Sequence, residues 1–272
     1  MNKIQWSLVC PIKNEVDLIT KTVPSFYAVN PSEVVLCFDN PPHKGAYEIA
    51  KKIADKHKNI STKFLLVDRN PDFAFHQSWV RRKGFLEAKY DRILTSDIDL
   101  IINKKVLKAI ELVGKNNTGL VSFSKRYPYQ GIQKIWRNIT QEIVRIFYPG
   151  RFSGLYAIWR PYWLDSEDED IKKLQNPKQG SLGDVRTGED TYLRDCMIKE
   201  HRVVYLKDVG AKVLTTNIAD LPRIQFERGR YFASQGYGLI RILLKVFLYF
   251  QFHVLSGWVY ERRRQSAFGK PA

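Results

Sequence analysis

The strongest constraint on the fold is an alternation of short β-type runs with amphipathic helical runs over the first hundred residues. The runs "WSLVCPI", "EVVLCFD", "TKFLLVD" and "RILTSDI" are typical of strands. Between them, "EVDLITKTVPSFYAV", "GAYEIAKKIADKHKN" and "HQSWVRRKGFLEAKY" have the apolar spacing of helices. Repeated strand–helix units predict an α/β fold with a mostly parallel sheet sandwiched by helices, Rossmann-like in its arrangement.

Polar residues follow the ends of these predicted strands. They are the loop from Pro11 to Glu15, then Asp39, Asp68, Asp97 and Asp99. Because ligands of such sheets bind beyond the carboxyl ends of the strands, we expect these residues to converge on one edge. Connecting loops are polar in most proteins, so each residue taken alone has an equally simple structural explanation.

Two of these aspartates stand one residue apart in "TSDIDL". Residues i and i+2 of an extended segment project to the same side, so Asp97 and Asp99 can hold a divalent cation between them or share it with a bound diphosphate. A charged pair at this place could instead cap the following helix, "KKVLKAIELV".

Charge and cysteine usage limit the partners and the compartment. Forty-four Lys and Arg against 28 Asp and Glu give a net charge of +16, which favours anionic partners: phosphates, nucleic acid or a membrane face. Cys10, Cys37 and Cys196 are odd in number and far apart, as expected of buried free thiols in a reducing compartment rather than of a disulfide or a zinc site. The opening "MNKIQWSLVCPIKNE" lacks the long apolar region of a signal peptide, so we expect a cytoplasmic protein.

Four segments together resemble the nucleotide-sugar glycosyltransferases with the GT-A fold, in particular the large inverting family two. "VCPIKNEVDLITKTVPSF" is similar to the family's opening strand and Pro-x-x-Asn-Glu loop, and "VVLCFDN" to its second strand. "NPDFAFHQSWVRRKGFLEAKYDRILTSDID" is similar to the arginine-bearing helix that leads to the family's Asp-x-Asp motif. "TGEDTYLRDCMIKEHRVVYL" resembles the Glu-Asp motif that opens a later helix, so the resemblance covers roughly the first 215 residues.

The resemblance implies a site and a cofactor. The nucleotide-sugar would be bound by Pro11, Asn14, Glu15, Asp39, Arg81, Asp97, Arg228 and Arg230. A divalent metal, Mn²⁺ or Mg²⁺, would be held by Asp97 and Asp99. Two segments depart from the family pattern: "PDFAFHQ" replaces its glycine-rich turn, and "AKVLTTN" lacks the histidine that often supplies a third metal ligand.

The proposed chemistry needs a base for the acceptor hydroxyl and a grip on the leaving diphosphate. Asp190 is the candidate base, with Glu189 helping to set the acceptor side. The spacing of Thr187 and Asp190 also fits a capping box. Arg81 could hold phosphate oxygens in a bidentate manner, or the run "RRK" could be a solvated basic face. Direct displacement by an acceptor deprotonated by Asp190 would invert the anomeric centre.

The segment after residue 153 is rich in aromatic residues. These residues, with the glycine before them, could form an acceptor wall or belong to the core: Gly154, Tyr156, Trp159, Tyr162 and Trp163. The run "DSEDED" fits a solvated loop, and His201 fits a structural position in a tight turn.

The composition changes near residue 221, which predicts a catalytic domain over 1–220 and a basic, amphipathic helical extension over 221–272. The extension has nine Lys or Arg against two Glu. Its longest uncharged run, Val246 to Tyr260, has fifteen residues and would reach only about 22 Å, less than the roughly 30 Å of a hydrocarbon core. We therefore expect a helix over 239–264 that lies on an anionic membrane face, or else packs in the core or a dimer.

The leading hypothesis is a metal-dependent inverting glycosyltransferase that uses a nucleotide diphosphate-sugar and a glycan, lipid-linked or protein acceptor, at the cytoplasmic face of a membrane. Two alternatives stay open. A nucleotidyltransferase could use similar acids at the sheet edge, although "CPIKNEVD" has no glycine-rich phosphate loop. A basic membrane- or nucleic-acid-binding protein without catalysis is the other, with nucleic acid the less favoured partner.

Overall fold

The structure is a computed structural model of the 272-residue chain. It describes residues 4–13, 15–70, 76–126, 154–165, 197–198, 200–215, 222–234, 236–249 and 252–268, with 128, 135 and 139 as isolated positions. The chain forms two compact units, one of residues 1–126 and 148–214 and one of residues 127–147 and 215–272. We call them the sheet unit and the helical unit. The predicted boundary between domains 1–220 and 221–272 stays a prediction.

The sheet unit follows the predicted alternation of strands and helices. The elements of its first half are β1 (Ser7–Ile12), α1 (Val16–Ala28), β2 (Glu33–Asp39), α2 (Lys44–Ala54), β3 (Ser61–Val67), α3 (His76–Glu87) and β4 (Arg92–Ser96). The later elements are β5 (Leu100–Ile102), a 3₁₀ turn (Lys104–Val106), α4 (Leu107–Leu112), β6 (Thr118–Arg126), β7 (Leu155–Trp159) and β8 (Arg202–Val213).

These strands form one sheet in the order β3-β2-β1-β4-β7-β6-β8-β5. Strands β1 to β4 pair in parallel, whereas β7 runs antiparallel to both β4 and β6, and β5 runs antiparallel to β8. All six residues of β1 are buried, as expected of a central strand of a parallel sheet covered on both faces. The predicted α/β fold is therefore confirmed, and the sheet is mixed.

Helices cover both faces of the sheet. Val35 and Cys37 of β2 belong to a core cluster that includes Val80 and Phe85 of α3. Phe38, the next residue after Cys37, contacts Tyr47 of α2 edge to face, with ring centroids 5.4 Å apart. Since successive residues of a strand point to opposite faces, α2 and α3 lie on opposite sides of the sheet.

Helix α3 lies very close to the strands it covers. A Cβ at Gly84 would be 2.4 Å from Val9 Cγ1 and 2.7 Å from the Cys37 Sγ, so only glycine fits at this crossing. Cys10 and Cys37 are buried free thiols, as predicted. Burial raises the pKa of Cys37 to about 12. The close crossing fixes the position of the arginine one turn earlier in α3, Arg81.

The helical unit contains three described helices, α5 (Pro222–Ser234), α6 (Leu239–Tyr249) and α7 (Phe252–Phe268). The expectation of one helix over 239–264 is wrong. A continuous helix would place residues 237 and 258 about 30 Å apart, yet Trp258 Nε1 donates to the Tyr237 carbonyl oxygen at 2.8 Å. The chain therefore reverses between α6 and α7. Among the described residues, no helix is both long enough and apolar enough to cross a membrane.

Helices α5 and α7 cross at two glycines. A Cβ at Gly229 would be 2.0 Å from the Val254 carbonyl oxygen, and one at Gly257 would be 1.9 Å from the Phe226 carbonyl oxygen. These distances are possible only because both positions lack a side chain, which allows the two backbones to touch.

A buried carboxylate joins the same two helices. Glu261 is fully buried and accepts hydrogen bonds from Arg230 Nε at 3.0 Å and Arg264 Nη2 at 2.5 Å. Burial alone would raise the pKa of Glu261, but the hydrogen bonds from Arg264 and Arg230 lower it below its ordinary value. Glu261 is therefore ionised and paired inside the helical unit.

Candidate functional site

The carboxyl ends of β1 to β4 form one edge of the sheet. The parallel registers pair Pro11 with Cys37, Asp39 with Val67 and Val9 with Thr95. Residues that follow these strands therefore share this edge, which is where ligands of open α/β sheets bind. Asp39 and Asp97 both stand there, at the end of β2 and directly after β4.

Asp97 is held firmly from two sides. Arg81 Nη2 donates to Asp97 Oδ1 at 2.6 Å, and the arginine side chain is only 3% exposed. On the other side, the Asp97 N–H donates to the Gly154 carbonyl oxygen at 2.7 Å. Gly154 has a φ of +64°, and a Cβ there would lie 1.8 Å from Asp97 Oδ2. Gly154, directly before β7, therefore leaves just enough room for the carboxylate.

The two aspartates of "TSDIDL" lie in a turn rather than in an extended segment. Strand β4 ends at Ser96, and the Leu100 N–H closes a turn onto the Asp97 carbonyl oxygen at 3.2 Å. The premise that Asp97 and Asp99 lie in an extended segment is therefore wrong, and their shared metal site stays a prediction. The Asp99 carbonyl oxygen accepts from the Leu214 N–H at 2.9 Å, so the end of β8 lies beside Asp99.

A histidine contacts the first aspartate of this edge. His76 Nε2, at the start of α3, is 3.1 Å from Asp39 Oδ1, and both side chains are about one quarter exposed. This pair could not be predicted from the sequence, because the two residues are far apart in the chain. The only signal was that "PDFAFHQ" departs from the family's glycine-rich turn.

Next to this pair, the loops after β2 and β3 are joined. Asn40 Nδ2 donates to Asp68 Oδ1 at 2.7 Å, and Trp79 Nε1 donates to the Asp68 carbonyl oxygen at 3.0 Å. Asp68, which follows β3, is therefore hydrogen-bonded both to the loop after β2 and to α3. The loop after β1 is closed similarly, since Glu15 Oε2 accepts from the Lys13 N–H at 2.8 Å.

The remaining sequence-predicted residues fall into three groups. Pro11 is buried within β1. Asn14, Glu189, Asp190 and Cys196 lie outside the described residues, as do the side chain of Arg228 and all of the run "DSEDED" except its first residue, the exposed Asp165. Arg230 is bound to Glu261, and its predicted contact with a diphosphate stays a prediction.

The aromatic residues after Gly154 do not form an acceptor wall. Tyr156 and Trp163 are buried in the core cluster, so the core alternative is correct for both. Trp159 pairs with Arg92 at the start of β4, and Tyr162 stacks on His201 with ring centroids 3.8 Å apart. Because β7 runs antiparallel to β4, Trp159 lies beside the start of β4, whereas Asp97 follows the other end of that strand.

His201 is also far from the candidate site along the strands. It directly precedes β8, whose first residue pairs with Thr118 at the start of β6. Its Nδ1 is 2.9 Å from Asn117 Oδ1. The prediction of a structural position for His201 is confirmed by these contacts. Among the residues that the structure describes, no group of three or more His, Cys, Asp or Glu side chains could hold a metal ion.

The chain matches one protein family. A family model described as glycosyl transferase family 2 matches residues 7–165, which is more than half of the chain. This range begins at the first residue of β1 and includes Asp39, Arg81, Asp97, Asp99 and Gly154. A search of curated protein sequences returns no match.

Several solved structures share the fold. The mannosyltransferase PcManGT from Pyrobaculum calidifontis, in complex with GDP-Man and Mn²⁺, is similar at a TM-score of 0.61 and 16% identity, over 98% of this chain and 76% of that one. Residues 1–349 of TarS from S. aureus are similar at a TM-score of 0.54 and 17% identity, over 97% and 72% of the two chains. 4-Diphosphocytidyl-2C-methyl-D-erythritol synthase from Anaerococcus prevotii is similar at a TM-score of 0.51 and 11% identity, over 82% of this chain and 94% of that one.

Proposed function

The chain belongs to glycosyl transferase family 2, and we propose that it moves a sugar from a nucleotide diphosphate-sugar to an acceptor hydroxyl with inversion at the anomeric carbon. The observation that carries this proposal is the placement of Asp39 and Asp97 at one sheet edge, with Asp97 fixed by Arg81 and Gly154. A site that must hold a nucleotide in one orientation needs such fixed acceptors, because their positions are set before the ligand arrives.

Each residue of this edge has a proposed task. Asp39 accepts hydrogen bonds from the nucleobase or the ribose, and its contact with His76 orients the carboxylate. Asp97 accepts from the nucleotide as well, while Arg81 holds it in place. A guanidinium that is 3% exposed is better suited to positioning Asp97 than to closing over a diphosphate in solvent.

A divalent metal fits the donor set at Asp97 and Asp99. Carboxylate oxygens are the ligands that Mg²⁺ and Mn²⁺ prefer, and one or two of them, completed by substrate phosphates, suffice for such an ion. Arg81 already donates to Asp97 Oδ1, so Asp99 is the carboxylate proposed to contact the ion. When bound, the ion would neutralise the negative charge that develops on the departing diphosphate.

The transfer step itself is a direct displacement. Asp190 takes the proton of the acceptor hydroxyl, the acceptor oxygen bonds to the anomeric carbon, and the bond from that carbon to the diphosphate oxygen breaks. Glu189 helps to place the acceptor. Attack from the side opposite the leaving group inverts the anomeric centre, and the products are a glycoside and a nucleoside diphosphate.

The acceptor is proposed to be a glycan, a protein or a lipid-linked molecule at the cytoplasmic face of a membrane. The positive charge of the helical extension supports an anionic surface nearby, because basic segments concentrate at anionic lipid. Nucleic acid is the less favoured partner.

The proposal is tested by incubating the full chain with a panel of UDP- and GDP-sugars in Mn²⁺ or Mg²⁺, without acceptor. Slow hydrolysis of one donor to free sugar and nucleoside diphosphate is the expected result, since water can replace the acceptor. A protein that hydrolyses no donor in either metal, but releases pyrophosphate from a nucleoside triphosphate and a sugar phosphate, would instead be a nucleotidyltransferase. Salt-sensitive binding of oligonucleotides, with no nucleotide specificity, would favour the non-enzymatic alternative.

A further inference from the structure

Exposed apolar side chains are concentrated in the helical unit. Among the described residues, it contains eight of the thirteen large apolar side chains that are exposed, although the sheet unit is more than twice as long. Five of the eight fall within 239–252. Single exposed apolar side chains are normal on a protein surface, but a cluster of them marks a surface that contacts a membrane, a ligand or another protein.

Helix α6 is apolar on two sides. On one side, Ile242 and Val246 are buried in a small cluster with Val254 of α7. On the other side, Ile240, Leu244 and Phe247 are 77%, 54% and 66% exposed. Their spacing of four and three residues places them along one stripe of the helix. We call this stripe the α6 face.

The beginning of α7 extends this apolar surface. Phe252, its first residue, is 60% exposed, and Tyr260, two turns further on, is 52% exposed. Arg263 and Arg264 follow on the same helix and are exposed as well. Aromatic rings next to arginines are the combination found where a protein meets the headgroup region of a bilayer.

We propose that the α6 face, together with Phe252, docks on the surface of an anionic lipid bilayer. The charge of the C-terminal extension selects this occupant: residues 221–272 have nine Lys or Arg and two Glu, and the buried Glu261 pairs with only two of the nine, Arg230 and Arg264. The apolar side chains enter the interface, while the basic residues meet acidic headgroups. A lipid-linked acceptor would be found at this surface, and that part rests on the proposed transferase function, whereas bilayer docking does not.

The proposal is tested with the full chain and sedimenting vesicles, either of neutral phosphatidylcholine or with one third anionic phosphatidylglycerol. The test variant replaces Ile240, Leu244 and Phe247 with serine. The matched control replaces three exposed leucines of the sheet unit with serine, Leu66, Leu86 and Leu112, which are 44%, 39% and 39% exposed. Circular dichroism and the unfolding midpoint establish that each variant is folded.

We expect the wild-type chain and the control variant to bind anionic vesicles, at least tenfold more tightly than the test variant. Binding of the wild type should weaken, without vanishing, as salt is raised or as neutral lipid replaces anionic lipid. Equal binding by the test variant, or no vesicle binding by the wild type, would overturn the proposal. A wild-type dimer that ignores vesicles and becomes a monomer in the test variant would show that the face joins two copies. Acceptor-free donor hydrolysis, measured on the same samples, reports separately on the proposed function.

Discussion

Gly154 offers a direct way to perturb the candidate site without removing any of its polar groups. Its φ of +64° is a conformation that side chains disfavour, and a Cβ there would lie 1.8 Å from Asp97 Oδ2 and 2.7 Å from Asp97 Cγ. In Gly154→Ala, the carboxylate of Asp97 must therefore move. Because Oδ1 is hydrogen-bonded to Arg81 at 2.6 Å, that movement breaks or weakens the bond.

Two costs add in this variant. An alanine held at positive φ costs about 1–2 kcal/mol of unfolding free energy. Loss of a hydrogen bond between charged groups costs about 1.5–3 kcal/mol more. We expect Gly154→Ala to lower the free energy of unfolding by roughly 2.5–5 kcal/mol, and to weaken nucleotide binding in the molecules that stay folded.

Urea unfolding followed by circular dichroism measures the stability, and two control variants separate the costs. Gly236 has a φ of +75°, and a Cβ there would have no atom within 4 Å. Gly236→Ala should therefore show only the backbone cost of about 1–2 kcal/mol. Gly45→Ala in α2 makes ordinary contacts of 3.6 Å or more and should be neutral or slightly stabilising. If Gly154→Ala is no more destabilising than Gly236→Ala, the carboxylate of Asp97 is not confined as described.

Three further predictions follow from named residues. Asp190→Asn, which keeps the shape but cannot take a proton, should lower transfer by about 10² to 10⁴ with donor affinity nearly unchanged; near-normal turnover in steady-state assays would assign Asp190 to helix capping. Gly257→Ala should lower the free energy of unfolding, measured in urea, by more than about 2 kcal/mol, because its Cβ would be 1.9 Å from the Phe226 carbonyl oxygen. The pKa of Glu261 is lowered on folding, so its contribution is present above the ordinary value of 4.5 and lost as the pH falls through the folded value. Glu261→Gln should therefore flatten the loss of stability below pH 4.5, and an unchanged acid profile would count against the buried ion pair.

The local pattern of the sequence predicted the first half of the sheet well. The predicted strand "EVVLCFD" is β2 residue for residue, and the other three strands differ by a few residues at their ends. These elements are coded by nearby residues, since apolar alternation and periodicity act within a few positions. The polar strand ends at Asp39 and Asp97 follow from the same pattern.

What the sequence did not predict depends on contacts between distant residues. Strand β7 inserts antiparallel between β4 and β6, and this buries Tyr156 instead of exposing it to an acceptor. The His76–Asp39 contact and the Arg81–Asp97 bond likewise join separate elements. In the extension, uninterrupted hydrophobicity suggested one helix, whereas α6 and α7 are brought together by the hydrogen bond from Trp258 to Tyr237 and by the apolar contacts of α6 with Val254. Such tertiary contacts leave no periodic trace in a single sequence.

The proposed transferase function requires this sheet edge to bind a nucleoside diphosphate together with a divalent metal through Asp99. Calorimetric titration of UDP and GDP into the wild type and Asp99→Ala, each with and without Mn²⁺, tests it most directly. We expect Mn²⁺ to strengthen binding of one nucleotide to the wild type and to leave binding to folded Asp99→Ala unchanged. Equal stimulation by Mn²⁺ in both proteins, or no nucleotide binding by the wild type in any metal, would contradict it.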